Sequence, residues 1–122
     1  MLLIKSDRLL ADTDLVLPWV PAWAEPVWHL FVVRHSQRDV LQQRLQQAGI
    51  GTMIHYPIPP HLSGAYAAEF AGRTFPLAER LAPTVLSLPM GPQLTRHDQA
   101  RVTAAAEGLT SSDLTPHPHP SP

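Results

Sequence analysis

The sequence predicts an α/β fold, a small sheet of about three strands with helices packed on one face, and three observations carry that prediction. Three short runs, residues 27–34, 52–56 and 85–88, are rich in β-branched and aromatic residues and are bounded by proline, as strands are. Between and after them, apolar residues recur at the helical period in three separate stretches. The 14 prolines and 6 glycines fall mostly at the joints between these runs, so they mark element boundaries.

In chain order, residues 1–14 suggest a helix around Leu9 and Leu10 with no evident cap. The LPWVPAWAEP stretch follows, and Pro18, Pro21 and Pro26 there exclude a regular helix. Trp19 and Trp23 within it are expected to cover a core edge. Residues 27–34, VWHLFVVR, form the strongest strand. Alternation puts Trp28, Leu30, Val32 and Arg34 on one face and Val27, His29, Phe31 and Val33 on the other, both largely apolar. Ser36 is the expected N-cap, with Asp39 in the first turn, of a helix running to Ala48. Val40, Leu41, Leu45 and Ala48 form its apolar stripe, and Gly49 is placed just past its end.

Residues 52–56 are read as a second strand that Pro57 stops, and Pro57, Pro59 and Pro60 make the next segment non-helical. A short helix is expected over 65–70, closed by Gly72. Another starts at Pro76 with Leu77, Ala78, Leu81 and Ala82 facing inward. Residues 85–88 are the third strand. Thr95 with Asp98 is an N-cap pattern for a last helix whose inner face is Val102, Ala105, Ala106 and Leu109. Residues 110–122 are rich in Ser, Thr, Pro and His, and are expected to be disordered. The divisions are thus 1–14, 15–109 and 110–122. Two apolar sheet faces with helices for only one imply a covering partner.

Composition narrows the function. A net charge of −1 gives neither a basic stripe for nucleic acid nor a polybasic face for a membrane. No apolar run approaches the roughly 20 residues of a spanning helix, the amino terminus does not read as a signal peptide, and a cytoplasmic location is expected. The absence of cysteine excludes disulfides and thiolate metal sites. The 7 histidines fall in no ligand spacing: His55 and His61 are separated by prolines, and His117 and His119 lie in the tail. No metal site is therefore expected. Ser63 and Ser87 sit in no nucleophile elbow, and Lys5, the sole lysine, reads as an exposed terminal residue.

Residues 49–66, GIGTMIHYPIPPHLSGAY, hold the densest chemistry. As consecutive strand residues, His55 and Tyr56 should point to opposite faces. A rigid Pro-x-Pro-Pro segment after a strand end is a good mount for groups meeting a ligand. The residues alone also fit a half-buried core tyrosine and a histidine capping a backbone group, and composition favours that structural reading.

Taken together, VWHLFVVR, GIGTMIHYPIPPHLSGAY and FPLAERLAPTVLSLPMGPQLT, in that order and spacing over residues 15–109, resemble the carboxy-terminal domain of the DegT-DnrJ-StrS family of sugar aminotransferases. The resemblance implies the small domain of a fold-type I, aspartate-aminotransferase-like enzyme. It also implies pyridoxal phosphate as the cofactor of the full-length family, a homodimer, and amino transfer to a nucleotide-linked keto sugar for surface-polysaccharide or antibiotic synthesis. By the same resemblance His55 and Tyr56 contact the nucleotide-sugar. Arg34 either pairs with a carboxylate or phosphate of the substrate or forms an interdomain salt bridge. His61 and Tyr66 match positions in the following loop, where a structural role is as well supported. The family's cofactor lysine, its aspartate and most of its phosphate cup belong to a large domain that these residues do not match. No catalytic or cofactor-binding residue is therefore expected in this chain, and no cofactor on the chain alone. The alternative is a non-catalytic interaction or dimerisation module pairing with a separate large domain.

Overall fold

The computed structural model describes residues 13–107. The expected helix over 1–14 falls outside that range except for Thr13 and Asp14, which form a bend. Leu109 and the tail 110–122 also lie outside it. The elements run β1 (Phe31–Arg34), α1 (Arg38–Gln47), α2 (Pro76–Leu81), β2 (Val85–Leu88) and α3 (Arg96–Glu107), with a 3-10 turn at Pro60–Leu62 between α1 and α2.

β1 and β2 pair antiparallel in the register Phe31↔Leu88, Val32↔Ser87, Val33↔Leu86 and Arg34↔Val85. Alternation therefore sorts the ribbon into two faces. Phe31, Val33, Leu86 and Leu88 are buried and form the core with Leu41, Leu45, Val102 and Ala106 from α1 and α3. Val32, Arg34, Val85 and Ser87 make the other face. A single bridge extends the ribbon on each side, Val16 to Arg34 and Met53 to Ser87.

Several expectations are corrected here. The first strand begins at Phe31 rather than Val27, which is 93% exposed. Residues 52–56 are not a strand: only Met53 pairs with β2, because Pro57 and its neighbours turn the chain away and remove ladder donors. The regular sheet is therefore two-stranded where three strands are expected. Residues 65–70 make successive hydrogen-bonded turns without becoming a helix. Trp19 and Trp23 cover no core edge, being 85% and 88% exposed. Val40, Ala48 and Leu77 are exposed rather than inward.

Ser36 does not cap α1. The N-cap is Gln37, with no side-chain cap bond, and its N–H donates to Nδ1 of buried His35 at 3.0 Å. The first residue of α1, Arg38, is only 7% exposed. Its Nη1 donates to the carbonyls of Ala82 (3.1 Å) and Val85 (3.0 Å), and its Nε to the carboxylate of Asp39 at 2.7 Å. One guanidinium thus joins the start of α1, the end of α2 and the start of β2, which suits its planar fork of donors.

The other end of α1 follows the sequence closely. Gly49 has φ +80°, its N–H donates to the Gln46 carbonyl and that of Ile50 to Leu45, with Ile50 and Leu45 both in the core. This is a Schellman closure with its usual hydrophobic contact. Nη2 of Arg101 on α3 donates to the Ala48 carbonyl at 2.7 Å, tying the two helices together.

At α3 the expected cap is present and reciprocal. Asp98 N–H donates to Thr95 Oγ1 (3.1 Å), while Thr95 N–H and Oγ1–H donate to Asp98 Oδ2 (2.9 and 2.7 Å). These bonds, the hydroxyl's first, hold the Asp98 carboxyl below its ordinary value of 3.8.

Three outcomes follow. Replacing Arg38 by alanine strands two backbone acceptors and should cost about 2–3 kcal/mol in urea unfolding. Gly49→Ala should cost about 1–2 kcal/mol, because alanine is strained at that positive φ and its Cβ would lie 2.9 Å from Arg101 Nη2. Because the Asp98 carboxyl is depressed in the fold, its stabilisation is present above the ordinary value and lost as pH falls through the lower folded one. The melting-temperature gap between wild type and Asp98→Asn should therefore narrow below about pH 4.

Candidate functional site

Beside β2, the segment after Gly49 runs back across the ribbon and touches it at one rung. Met53 N–H donates to the Ser87 carbonyl (3.2 Å) and Ser87 N–H to that of Met53 (2.7 Å). Two residues on, His55 turns its ring onto the same strand, with Nδ1 2.8 Å from Ser87 Oγ. Ser87 is 5% exposed and His55 is half-buried. A cavity of about 400 Å³ opens here, with His29, Gly51, Met53, His55, Ser87 and Met90 among its walls.

Tyr56 is exposed, and its ring meets that of His55 edge to face, centroids 5.5 Å apart. The peptide bond between the two residues is cis. The expectation of opposite faces does not hold, since strand alternation does not apply to a segment that is not a strand. Neither earlier structural reading fits either: Tyr56 is not half-buried, and His55 is bonded to a side chain.

Arg34, at the end of β1, is exposed, and its backbone pairs with Val16. The register places it on the Ser87 face of the ribbon, two residues from Val32, which lies opposite Ser87. That is roughly 7 Å along the strand. Among the described residues its guanidinium makes no ion pair. The structure thus brings His55 and Tyr56 into contact and sets Arg34 on the same side of the ribbon.

His61 and Tyr66 belong to a separate aromatic group. His61 is buried, 4.7 Å from the Phe75 ring, and Phe70 lies 6.4 Å from Tyr66 and 6.1 Å from Phe75. Among the described residues the Nε2 of His61 has no hydrogen-bond partner, and it lies 3.6 Å from Glu79 Oε1. Among the described residues no group of three His, Asp or Glu could hold a metal ion, and no helix is long and apolar enough to cross a membrane.

Sequence reasoning passed over Ser87, having weighed it only as a nucleophile. The available signal was its place as the lone polar residue in an otherwise apolar strand, VLSL, where a buried hydroxyl needs a partner.

The profile of the DegT/DnrJ/EryC1/StrS aminotransferase family matches residues 5–107. The chain belongs to that family. Among curated relatives, the erythromycin biosynthesis sensory transduction protein EryC1 of Saccharopolyspora erythraea is 50% identical over 91 residues, 74% of this chain and 25% of that protein. The dTDP-3-amino-3,4,6-trideoxy-alpha-D-glucose transaminase of Streptomyces venezuelae is 49% identical over 90 residues, 73% of this chain and 24% of that one. The crystal structure of S. venezuelae DesV in complex with a ketimine intermediate superposes with a TM-score of 0.81 at 43% identity, covering 88% of this chain and 29% of that one. The chain spans about a quarter of the length of the curated relatives it matches. Its α/β architecture is thus that of a piece of the family's sugar aminotransferases.

His61, outside the His55 site, gives a test of its packing role. His61→Phe removes a buried nitrogen that has no hydrogen bond among the described residues, gives up only the 3.6 Å approach to Glu79 and keeps the ring contact, so its unfolding free energy in urea should stay within about 1 kcal/mol of wild type. His61→Ala should lose about 2–4 kcal/mol by emptying the same space.

Proposed function

We propose that the chain is the carboxy-terminal small domain of a pyridoxal-phosphate-dependent aminotransferase acting on nucleotide-linked keto sugars. In this reading His55, Tyr56 and Arg34 hold the nucleotide-sugar. The observation that supports it most is the 49% identity, over about three-quarters of the chain, to a transaminase named for a dTDP-linked amino sugar. The site adds support. A half-buried imidazole, an exposed phenol and a guanidinium without an ion pair among the described residues suit a ligand carrying phosphates and hydroxyls.

The described residues do not themselves suit the cofactor. Pyridoxal phosphate is held as an imine by a lysine, and the chain's one lysine is Lys5; residues 13–107 contain none. The described residues therefore supply substrate contacts rather than the group that reacts, and the imine-forming residues of the complete enzyme come from its larger part.

Exposed apolar residues support the same division of labour. Met53, Tyr56, Ile58, Leu62, Tyr66, Phe75 and Leu77 are all at least 41% exposed and fall within one stretch of the chain. So much accessible apolar surface in one segment suits a region that another unit covers. In this reading the larger part of the enzyme, or a dimer partner, sits there. A pairing module without catalysis would use the same region, and the enzyme reading differs in requiring His55 and Tyr56 for turnover.

A chimera separates the two. The carboxy-terminal quarter of the S. venezuelae transaminase is replaced by residues 5–107, and transamination is assayed. Activity should persist, and His55→Ala or Tyr56→Phe in the chimera should raise the KM for nucleotide-sugar about tenfold, the size of one lost charge-assisted hydrogen bond. A folded, cofactor-loaded chimera whose KM is indifferent to both substitutions would overturn the assignment of these residues.

A further inference from the structure

The bond between Ser87 and His55 determines more than where the imidazole sits. A neutral histidine carries one ring proton, and the partner of one nitrogen decides the role of the other. Here Nδ1 of His55 faces Ser87 Oγ at 2.8 Å. Ser87 is 5% exposed, and its hydroxyl has no other hydrogen bond among the described residues.

Two arrangements of protons are open to this pair. If Nδ1–H donated to Oγ, the buried hydroxyl proton would be left without an acceptor, an arrangement that buried polar groups avoid. If Oγ–H donates to the Nδ1 lone pair, every group is satisfied, and the ring proton must be on Nε2. A hydroxyl can take this role because it donates as well as accepts.

We infer that Ser87 is a positioning residue that fixes His55 as the Nε2–H tautomer, so that the neutral imidazole presents a hydrogen-bond donor to a phosphoryl group of the substrate. The inference rests on the reading of His55 as a substrate contact and deepens it by assigning the donor atom and the residue that sets it. The geometry favours such a role. The N–H and carbonyl of Ser87 are both bonded to Met53, and its neighbours Leu86 and Leu88 pair with β1, so its hydroxyl is a fixed reference for the ring. The titratable neighbours of His55 are Tyr56, in edge contact, and His29, across the shared cavity. Arg34 lies further along the same face.

The test is long-range proton–nitrogen correlation spectroscopy of the imidazoles in the full chain at pH 8, with His55 assigned by its loss in His55→Gln. The expected spectrum shows a protonated Nε2 and a hydrogen-bonded, unprotonated Nδ1. In Ser87→Ala the Nδ1 resonance should move to the position of a free lone pair, and Ser87→Thr, which keeps the hydroxyl, should restore it. A protonated Nδ1 in the wild type, or His55 nitrogens unmoved by Ser87→Ala in a folded protein, would overturn the inference. Titration with inorganic pyrophosphate is read separately. A pyrophosphate-induced shift of His55 Nε2–H, weakened about threefold in Ser87→Ala, supports the substrate-contact reading. No shift in the wild type overturns that reading and leaves the tautomer result standing by itself.

Discussion

The Arg38 guanidinium joins the start of α1 to a segment more than forty residues further along the chain. By donating to the carbonyls at the end of α2 and the start of β2, it anchors the point where the long excursion after α1 returns. That return sets β2 beside β1 and brings Leu86 and Leu88 into the core. A buried arginine is tolerable here because its donors meet backbone carbonyls and an adjacent carboxylate rather than apolar atoms. The charge is stabilised where the chain most needs orientation.

The excursion thereby returned is long and lightly structured. Residues 48–75 contain only a 3-10 turn and a series of hydrogen-bonded turns, and one backbone bridge and the His55–Ser87 bond connect them to the sheet. Prolines take the place of hydrogen-bonded regularity by restricting the backbone directly. The aromatic group of His61, Phe70 and Phe75 supplies local packing of its own. The segment that mounts His55 and Tyr56 is therefore stiff in its covalent structure and only lightly attached. That combination suits a loop that presents side chains at a boundary between units.

How much of this could be read from the residues depended on whether the signal was local. β2, the Gly49 closure of α1, the proline start of α2 and the Thr95–Asp98 cap all appear where their sequences place them, because each is decided by chemistry within a few residues. The Thr52–Tyr56 strand did not, since alternation there competes with prolines that deny a ladder its donors. Trp19 and Trp23 are expected to cover a core edge, yet the proline-rich segment leaves them exposed. Arg38 was invisible because its partners lie more than forty residues away, and Ser87 because its meaning depends on His55. His55 and Tyr56 themselves were legible, though their mutual contact was not.

One consequence of the ribbon's two faces concerns how freely the sequence can change. Leu86 and Leu88 close the core, and Ser87 between them bonds His55, so three consecutive residues serve both the interior and the candidate site. A substitution that shifts the leucines moves the hydroxyl, and one that alters the hydroxyl touches a residue wedged between core side chains. Neither role can be adjusted independently of the other. β2 then has little room to vary, and changes at the candidate site are more readily accommodated in the loop beyond Met53 than on the strand beneath it.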